Sequence, residues 1–205
     1  PHNPTGQLWD RKSLEELIGN YKLVICDEAF LSLTPNGENE SLIPLTKKFD
    51  NLIVIRSLTK LFSIPGLRLG YMISSSTICQ NLNRLRDPWP VNSLAIQAGI
   101  KLLSSKEEYK KWIMKIHTWI NIEKQWLTNE LKKISNLKVH ESSTNFFLIE
   151  SKHSLMDGIN YLSKKNILIR ECSSFRNLDD NWARISLQTH EKNQIIALEI
   201  HKYFL

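Results

Sequence analysis

The chain has 205 residues, of which 41% are hydrophobic and 23% are charged, a composition typical of a globular protein with one or two cores. No apolar stretch approaches the roughly 20 residues that a membrane-spanning helix needs. The net charge is +6, but the lysines of residues 106–133 alternate with glutamates, as on a solvated helix face, and no nucleic-acid-binding module is recognisable. We therefore expect neither a membrane nor a nucleic-acid partner.

The first half of the chain contains the signals of an α/β domain. A short helix is predicted near residues 14–17, and strands are predicted at residues 22–26, 51–56 and 68–73. These runs are continuously apolar, which is typical of strands buried on both faces of a mostly parallel sheet. A helix is predicted at residues 93–104.

A long amphipathic helix is predicted at residues 107–134, followed by elements of alternating type. Strands are predicted at residues 137–140, 146–150, 167–170 and 184–187, and helices at 155–165 and 191–204. We expect three parts: a remainder of a large α/β domain (1–104), a linking helix (105–136) and a small α+β domain (137–205).

The cysteines and histidines exclude two kinds of site. Cys26, Cys79 and Cys172 are odd in number and form no CxxC pair, which predicts reduced thiols and a cytoplasmic protein. The six histidines have no ligand spacing with cysteines or acidic residues, so we expect no metal.

Four short motifs carry the chemical signal, in the order Asn3-Pro4-x-Gly6, Asp27-Glu28-Ala29-Phe30, Ser57-x-x-Lys60 and Arg68-x-Gly70. The second and third follow two predicted strands, where ligands bind in parallel sheets. Pyridoxal phosphate needs an amine for its aldehyde, cations and hydroxyls for its phosphate, and a carboxylate for its ring nitrogen. The motifs offer all of these groups.

The four motifs together resemble the fold-type I pyridoxal-phosphate enzymes, the class I/II aminotransferase family, over essentially the whole chain. The chain begins at Pro1 inside the first motif, so we expect it to be the C-terminal part of such an enzyme. The resemblance implies a homodimer acting on a small molecule. It also implies a fold of mostly parallel sheet followed by a small α+β domain.

The resemblance assigns a role to each motif residue. Lys60 is implied as the catalytic lysine that joins the cofactor covalently and moves protons. The other implied roles are Asp27 beside the ring nitrogen, Ser57 and Arg68 on the phosphate, and Asn3 on the phenolic oxygen. Phe30 stands where many relatives carry a tyrosine that also donates to that oxygen, so Asn3 would make this contact alone.

Three segments favour one branch of the family. The first two are Pro88-Trp89-Pro90-Val91-Asn92 and Arg170-x-Cys172-x-x-Phe175. The third runs from Arg184 to Thr189 and lacks the glycine that is common there in the aminotransferases. These resemble the threonine-phosphate decarboxylases of cobalamin synthesis. Arg184 is then implied as the ligand of the substrate carboxylate and Arg170 as the ligand of its phosphate.

Two alternatives remain open. Histidinol-phosphate aminotransferases share most of the motifs and also bind a phosphorylated amine. The family's glycine-rich phosphate loop and ring-stacking aromatic do not occur in these 205 residues, so the chain could instead be a catalytically silent fragment or a dimerisation module.

Overall fold

The computed structural model of the chain describes residues 1–204 and contains two separate sheets. The chain divides into two compact units. We call Trp9–Ile116 the three-stranded unit, and Pro1–Leu8 with the chain from His117 onward the four-stranded unit. The α/β class is confirmed, while the predicted three-part domain division stays a prediction.

The three-stranded unit has the strand order β1 (Val24–Asp27), β2 (Leu52–Ser57), β3 (Gly70–Ile73). β1 and β2 are parallel, so Asp27 and Ser57 end neighbouring strands at the same edge. β3 is antiparallel to β2 and begins with Gly70 opposite Ser57. A Cβ atom at Gly70 would lie 2.8 Å from the Arg56 carbonyl oxygen, so only glycine fits this close approach.

Five helices accompany this sheet: α1 (Arg11–Ile18), α2 (Leu58–Leu61), α3 (Ser76–Leu85), α4 (Ser93–Leu103) and α5 (Lys106–Leu131). α5 begins in the three-stranded unit and ends in the four-stranded unit. The sequence analysis missed α3, although apolar residues at Ile78, Leu82 and Leu85 have helical spacing.

The core of the three-stranded unit covers one face of its sheet. Leu52 and Val54 pack with Ile18 of α1 and with Leu42. On the opposite face, Ile25 is 59% exposed and Ile55 is 39% exposed. Ile53, on this same face of β2, is only 6% exposed, so the prediction of strands buried on both faces holds for the start of β2 and is wrong for β1.

The four-stranded unit has the strand order β4 (Leu137–Val139), β5 (Phe146–Ser151), β7 (Trp182–Ser186), β6 (Arg170–Glu171), with every neighbouring pair antiparallel. The helices α6 (Met156–Ser163) and α7 (His190–Phe204) complete the unit and contact each other. The strand predicted at residues 167–170 is wrong in its bounds, since only Arg170 and Glu171 pair with β7.

Among residues 1–204, no helix is both long enough and apolar enough to cross a membrane.

Candidate active site

Lys60 lies on the short helix α2, directly after β2. Ser57 caps this helix: its hydroxyl oxygen accepts a hydrogen bond from the backbone N–H of Thr59 at 3.3 Å. The Lys60 side chain is exposed, and its Nζ lies 5.4 Å from the centre of the Phe30 ring, within the range of a cation–π contact. Thus three of the predicted site residues, Phe30, Ser57 and Lys60, belong to one local arrangement.

Aromatic side chains hold α2 in place. The Trp112 ring on α5 stacks on Phe62 with a centroid distance of 6.3 Å and an interplanar angle of 9°. The indole N–H of Trp112 donates to the Leu61 carbonyl at 3.1 Å. These contacts fix the C-terminal end of the helix that carries Lys60, which limits where its amine can reach.

Asp27 is the last residue of β1 and is exposed. Its Oδ1 accepts a hydrogen bond from the backbone N–H of Ala29 at 2.9 Å, which orients the carboxylate. Arg68 is also exposed, and it adopts a left-handed backbone with φ 50° after the 3₁₀ turn Pro65–Leu67. Both side chains present their charges at the surface of the three-stranded unit.

A buried ionic network of Arg56, Glu28 and Glu38 includes the sequence neighbours of Asp27 and Ser57. The Arg56 side chain is 6% exposed and contacts Glu28, which is 4% exposed, with Nε 2.8 Å from Oε2. Its terminal nitrogens also bond both oxygens of Glu38, at 2.7 and 2.8 Å. Burial alone would lower the pKa of Arg56, but the hydrogen bonds and charge of Glu38, with the charge of Glu28, raise it.

The sequence analysis did not single out Arg56. Glu28 follows Asp27 and Arg56 precedes Ser57, so the ion pair joins the carboxyl ends of β1 and β2. The sequence feature that could have indicated it is an arginine at the end of an apolar strand, because a charge buried there needs a partner of opposite charge. The Arg56–Glu28 pair therefore links the two strand ends that carry Asp27 and Ser57.

In the four-stranded unit, Arg184 lies in the middle of β7 and contacts Asn3. Its Nη1 donates a hydrogen bond to Asn3 Oδ1, and its guanidinium carbon lies 5.0 Å from the centre of the Phe146 ring. Its Nε is buried and has no hydrogen-bond partner among the described residues. Burial lowers the pKa of Arg184, and the nearby positive charge of Arg170 lowers it further.

Arg170 lies directly opposite Arg184 in the β6–β7 pair. It donates to the Ser174 hydroxyl at 2.8 Å and lies 5.7 Å from the Phe175 ring centre. Neither arginine has an acidic partner within salt-bridge distance among the described residues. Both line a cavity of about 460 Å³ at this edge of the sheet.

The residues predicted from sequence thus form two sets. The three-stranded unit contains Asp27, Phe30, Ser57, Lys60 and Arg68, and the four-stranded unit contains Asn3, Arg170 and Arg184. The first set combines an exposed amine, a carboxylate at a neighbouring strand end, a hydroxyl and a guanidinium. This donor set fits pyridoxal phosphate.

Comparisons with known proteins agree with this chemistry. The family model described as Aminotransferase class I and II matches residues 1–200. A protein of Caldanaerobacter subterraneus whose name suggests a threonine-phosphate decarboxylase is 35% identical over 201 residues, which are 96% of this chain and 54% of that protein. The chain spans about half the length of the curated relatives it matches.

Solved structures of the family have the same fold. The histidinol-phosphate aminotransferase of Clostridium acetobutylicum superposes with a TM-score of 0.90 at 28% identity, covering 99% of this chain and 61% of that one. The L-threonine-O-3-phosphate decarboxylase of Porphyromonas gingivalis gives a TM-score of 0.86 at 28% identity, covering 99% and 62%.

The cofactor predicted for the family is confirmed. A histidinol-phosphate aminotransferase of Sinorhizobium meliloti, with a TM-score of 0.83 at 20% identity, was solved in complex with pyridoxal-5'-phosphate. The family model, the relatives and the shared fold lead to one conclusion: this chain belongs to the class I and II aminotransferase family of pyridoxal-phosphate-dependent enzymes.

Proposed function

We propose that this chain is part of a pyridoxal-phosphate-dependent decarboxylase that acts on L-threonine-O-3-phosphate in cobalamin synthesis. The observation that carries the proposal is the pair Arg170 and Arg184. Arg170 and Arg184 lie opposite each other on adjacent strands without an acidic partner among the described residues, and one buried nitrogen of Arg184 has no hydrogen bond there. Such a pair suits a ligand with two anionic groups.

The proposed roles in the three-stranded unit follow from the donor set. Bound pyridoxal phosphate supplies an aldehyde for a primary amine and a ring that withdraws electrons from the substrate Cα. The Lys60 amine would hold the cofactor and return a proton to the substrate carbon. The Asp27 carboxylate would keep the ring nitrogen protonated, while Ser57 and Arg68 would bind the phosphate.

In the four-stranded unit, Arg184 would bind the substrate carboxylate, and Asn3, whose Oδ1 accepts a hydrogen bond from Arg184, would contact the phenolic oxygen of the cofactor. Arg170 would bind the substrate phosphate. Because Phe30 has no hydroxyl, Asn3 would make the contact to the phenolic oxygen alone. The Phe30 ring instead stabilises positive charge on the Lys60 nitrogen.

Transamination of histidinol phosphate is the second candidate, favoured by the similarity to the Clostridium acetobutylicum enzyme. Histidinol phosphate carries a phosphate but no carboxylate, so it would engage Arg170 and leave Arg184 for a second, carboxylate-bearing substrate. Phosphothreonine carries both groups and would engage both arginines at once. For this reason we favour the decarboxylase, and we propose that it acts in the cytoplasm as a homodimer.

The first test is a titration of the chain with pyridoxal phosphate, followed by visible absorbance. We expect a band that saturates, and borohydride should fix the cofactor on Lys60, as shown by peptide mass spectrometry. Lys60→Ala should lose the band and the labelled peptide. Lys47→Ala is the matched control, since Lys47 is exposed in the same unit and should leave both unchanged.

If the wild-type chain binds no more cofactor than Lys60→Ala, the enzymatic proposal is overturned for this chain and the silent-fragment alternative is favoured. If cofactor binds, phosphothreonine should release carbon dioxide. Amine transfer from histidinol phosphate to a 2-oxo acid, without carbon dioxide from phosphothreonine, would instead establish the second candidate.

A further inference from the structure

The end of β1 presents one carboxylate on each side of the three-stranded sheet. Successive residues of a strand point to opposite faces. The backbone N–H of Glu28 donates to the Ile55 carbonyl at 2.9 Å, so the chain still runs alongside β2 at this residue. Asp27 is exposed, whereas Glu28 is buried. The two adjacent carboxylates of the second motif therefore lie in opposite environments.

The buried carboxylate of Glu28 is held by groups from two distant segments. Its Oε1 accepts a hydrogen bond from the Leu42 backbone N–H at 2.6 Å, and its Oε2 accepts one from the Ser41 hydroxyl at 2.9 Å. Oε2 also lies 2.8 Å from Nε of Arg56 on β2. Leu42 and Ser41 are themselves buried, and Leu42 belongs to the core of this unit. The Glu28 side chain is thus anchored from the core.

This anchor adjoins the group that orients Asp27. Oδ1 of Asp27 accepts a hydrogen bond from the backbone N–H of Ala29 at 2.9 Å. The Glu28 carbonyl in turn accepts a hydrogen bond from the backbone N–H of Leu31 at 3.0 Å. Asp27 and Ala29 flank Glu28 in the chain, so an anchored Glu28 fixes the backbone on which the direction of the Asp27 carboxylate depends.

We propose that Glu28 is a positioning residue, which holds the Asp27 carboxylate in the place where it meets the ring nitrogen of pyridoxal phosphate. The inference rests on the proposed function and gives a role to a residue that the sequence analysis left without one. A charge-assisted hydrogen bond weakens steeply when its distance and angle are lost. A displaced Asp27 would therefore bind the ring nitrogen less well, even with its charge intact.

The test is the visible titration of the chain with pyridoxal phosphate, applied to two matched variants. Glu28→Gln and Glu38→Gln each remove one of the two carboxylates that pair with Arg56, but only Glu28 adjoins Asp27. Glu28→Gln should weaken cofactor binding by roughly tenfold, the range expected when a hydrogen bond between charged groups is partly lost. Glu38→Gln should bind within about twofold of wild type.

A double-mutant cycle with Asp27→Asn separates positioning from general destabilisation. If Glu28 acts through Asp27, Glu28→Gln should weaken binding by no more than about twofold in the Asp27→Asn background. The wavelength of the visible band is a second readout, because it responds to protonation of the ring nitrogen. Glu28→Gln should shift the band in the same direction as Asp27→Asn, and Glu38→Gln should leave it unchanged.

Circular dichroism shows whether Glu28→Gln folds. If it does not fold, Ser41→Ala takes its place, since this change removes the hydrogen bond that Glu28 accepts from the hydroxyl and leaves every charge present. Ser41→Ala should weaken cofactor binding by about threefold, and this effect should again disappear in the Asp27→Asn background.

The proposal is overturned if the folded variant binds cofactor as wild type does, or if its effect adds in full to that of Asp27→Asn. It is also overturned if Glu38→Gln weakens binding equally, since the loss would then come from Arg56. The proposed function fails separately. A wild-type chain without a Lys60-dependent band overturns both proposals, whereas a band that Glu28→Gln leaves unchanged removes only this one.

Discussion

At the residue scale, Arg56 and Arg184 differ in how their charges are satisfied. Arg56 is buried against two carboxylates that match its charge and geometry. Arg184 is partly buried and, among the described residues, contacts a neutral amide and an aromatic ring but no carboxylate. The Nε atoms of both arginines lack a hydrogen bond there, but that of Arg56 lies 2.8 Å from Glu28. Because desolvating an unpaired charge is costly, this difference supports the proposed binding of an anion by Arg184.

A second residue-scale prediction concerns the thiols. Burial, with the charge of Glu28, raises the pKa of Cys26 to about 11, and burial also raises the pKa of Cys172. Because only the thiolate attacks, alkylation of Cys26 by iodoacetamide should be slow at pH 8 and should rise as the pH approaches 11. Peptide mass spectrometry of the native chain measures the labelling, and complete labelling of Cys26 at pH 8 would contradict the prediction.

At the element scale, α2 and the ends of β1 and β2 depend on side chains distant in sequence. Arg56 joins the two strand ends through Glu28, and Trp112 on α5 holds the carbonyl of Leu61. Continuous apolar runs located β1 and β2 correctly, because such runs are a property of the local sequence. They did not show these cross-links, because the links form only between distant segments.

The buried network gives a stability prediction. Arg56→Met leaves the Glu28 carboxylate buried without its cation, so we expect a loss of about 3–5 kcal/mol in the free energy of unfolding. Lys48→Met is the control. Lys48 also pairs with a glutamate, Glu15, but it is 65% exposed, and its loss should cost about 1 kcal/mol or less.

Urea denaturation of both variants, followed by far-ultraviolet circular dichroism, measures the difference. Similar losses for Arg56→Met and Lys48→Met would mean that the buried pair contributes no more than an exposed one.

At the scale of the whole chain, one face of the three-stranded sheet is exposed at β1 and at the end of β2. Leu52 is fully buried, whereas Ile25, on the neighbouring strand, is 59% exposed. The chain spans about half the length of its curated relatives, and an exposed apolar face is a common site of association. We therefore expect the isolated chain to self-associate through this face.

That expectation can be tested with two substitutions. Ile25→Lys should reduce self-association in sedimentation velocity at rising concentration, yet change the free energy of unfolding by no more than about 1 kcal/mol. Leu52→Ala, on the covered face, should cost about 2–5 kcal/mol because it leaves a cavity in the core. An unchanged sedimentation profile for Ile25→Lys would show that this face does not mediate association.

The sequence by itself determined the family, the cofactor class and most of the helices and strands. Those inferences depend on motif spacing and hydrophobic periodicity, which are local properties of the chain. Only the tertiary structure decided that Arg170 lies opposite Arg184. It also decided that residues 167–169 do not pair with β7 and instead border a cavity. These features arise where segments distant in sequence meet, so burial and unpaired charge could be seen only after the chain had folded.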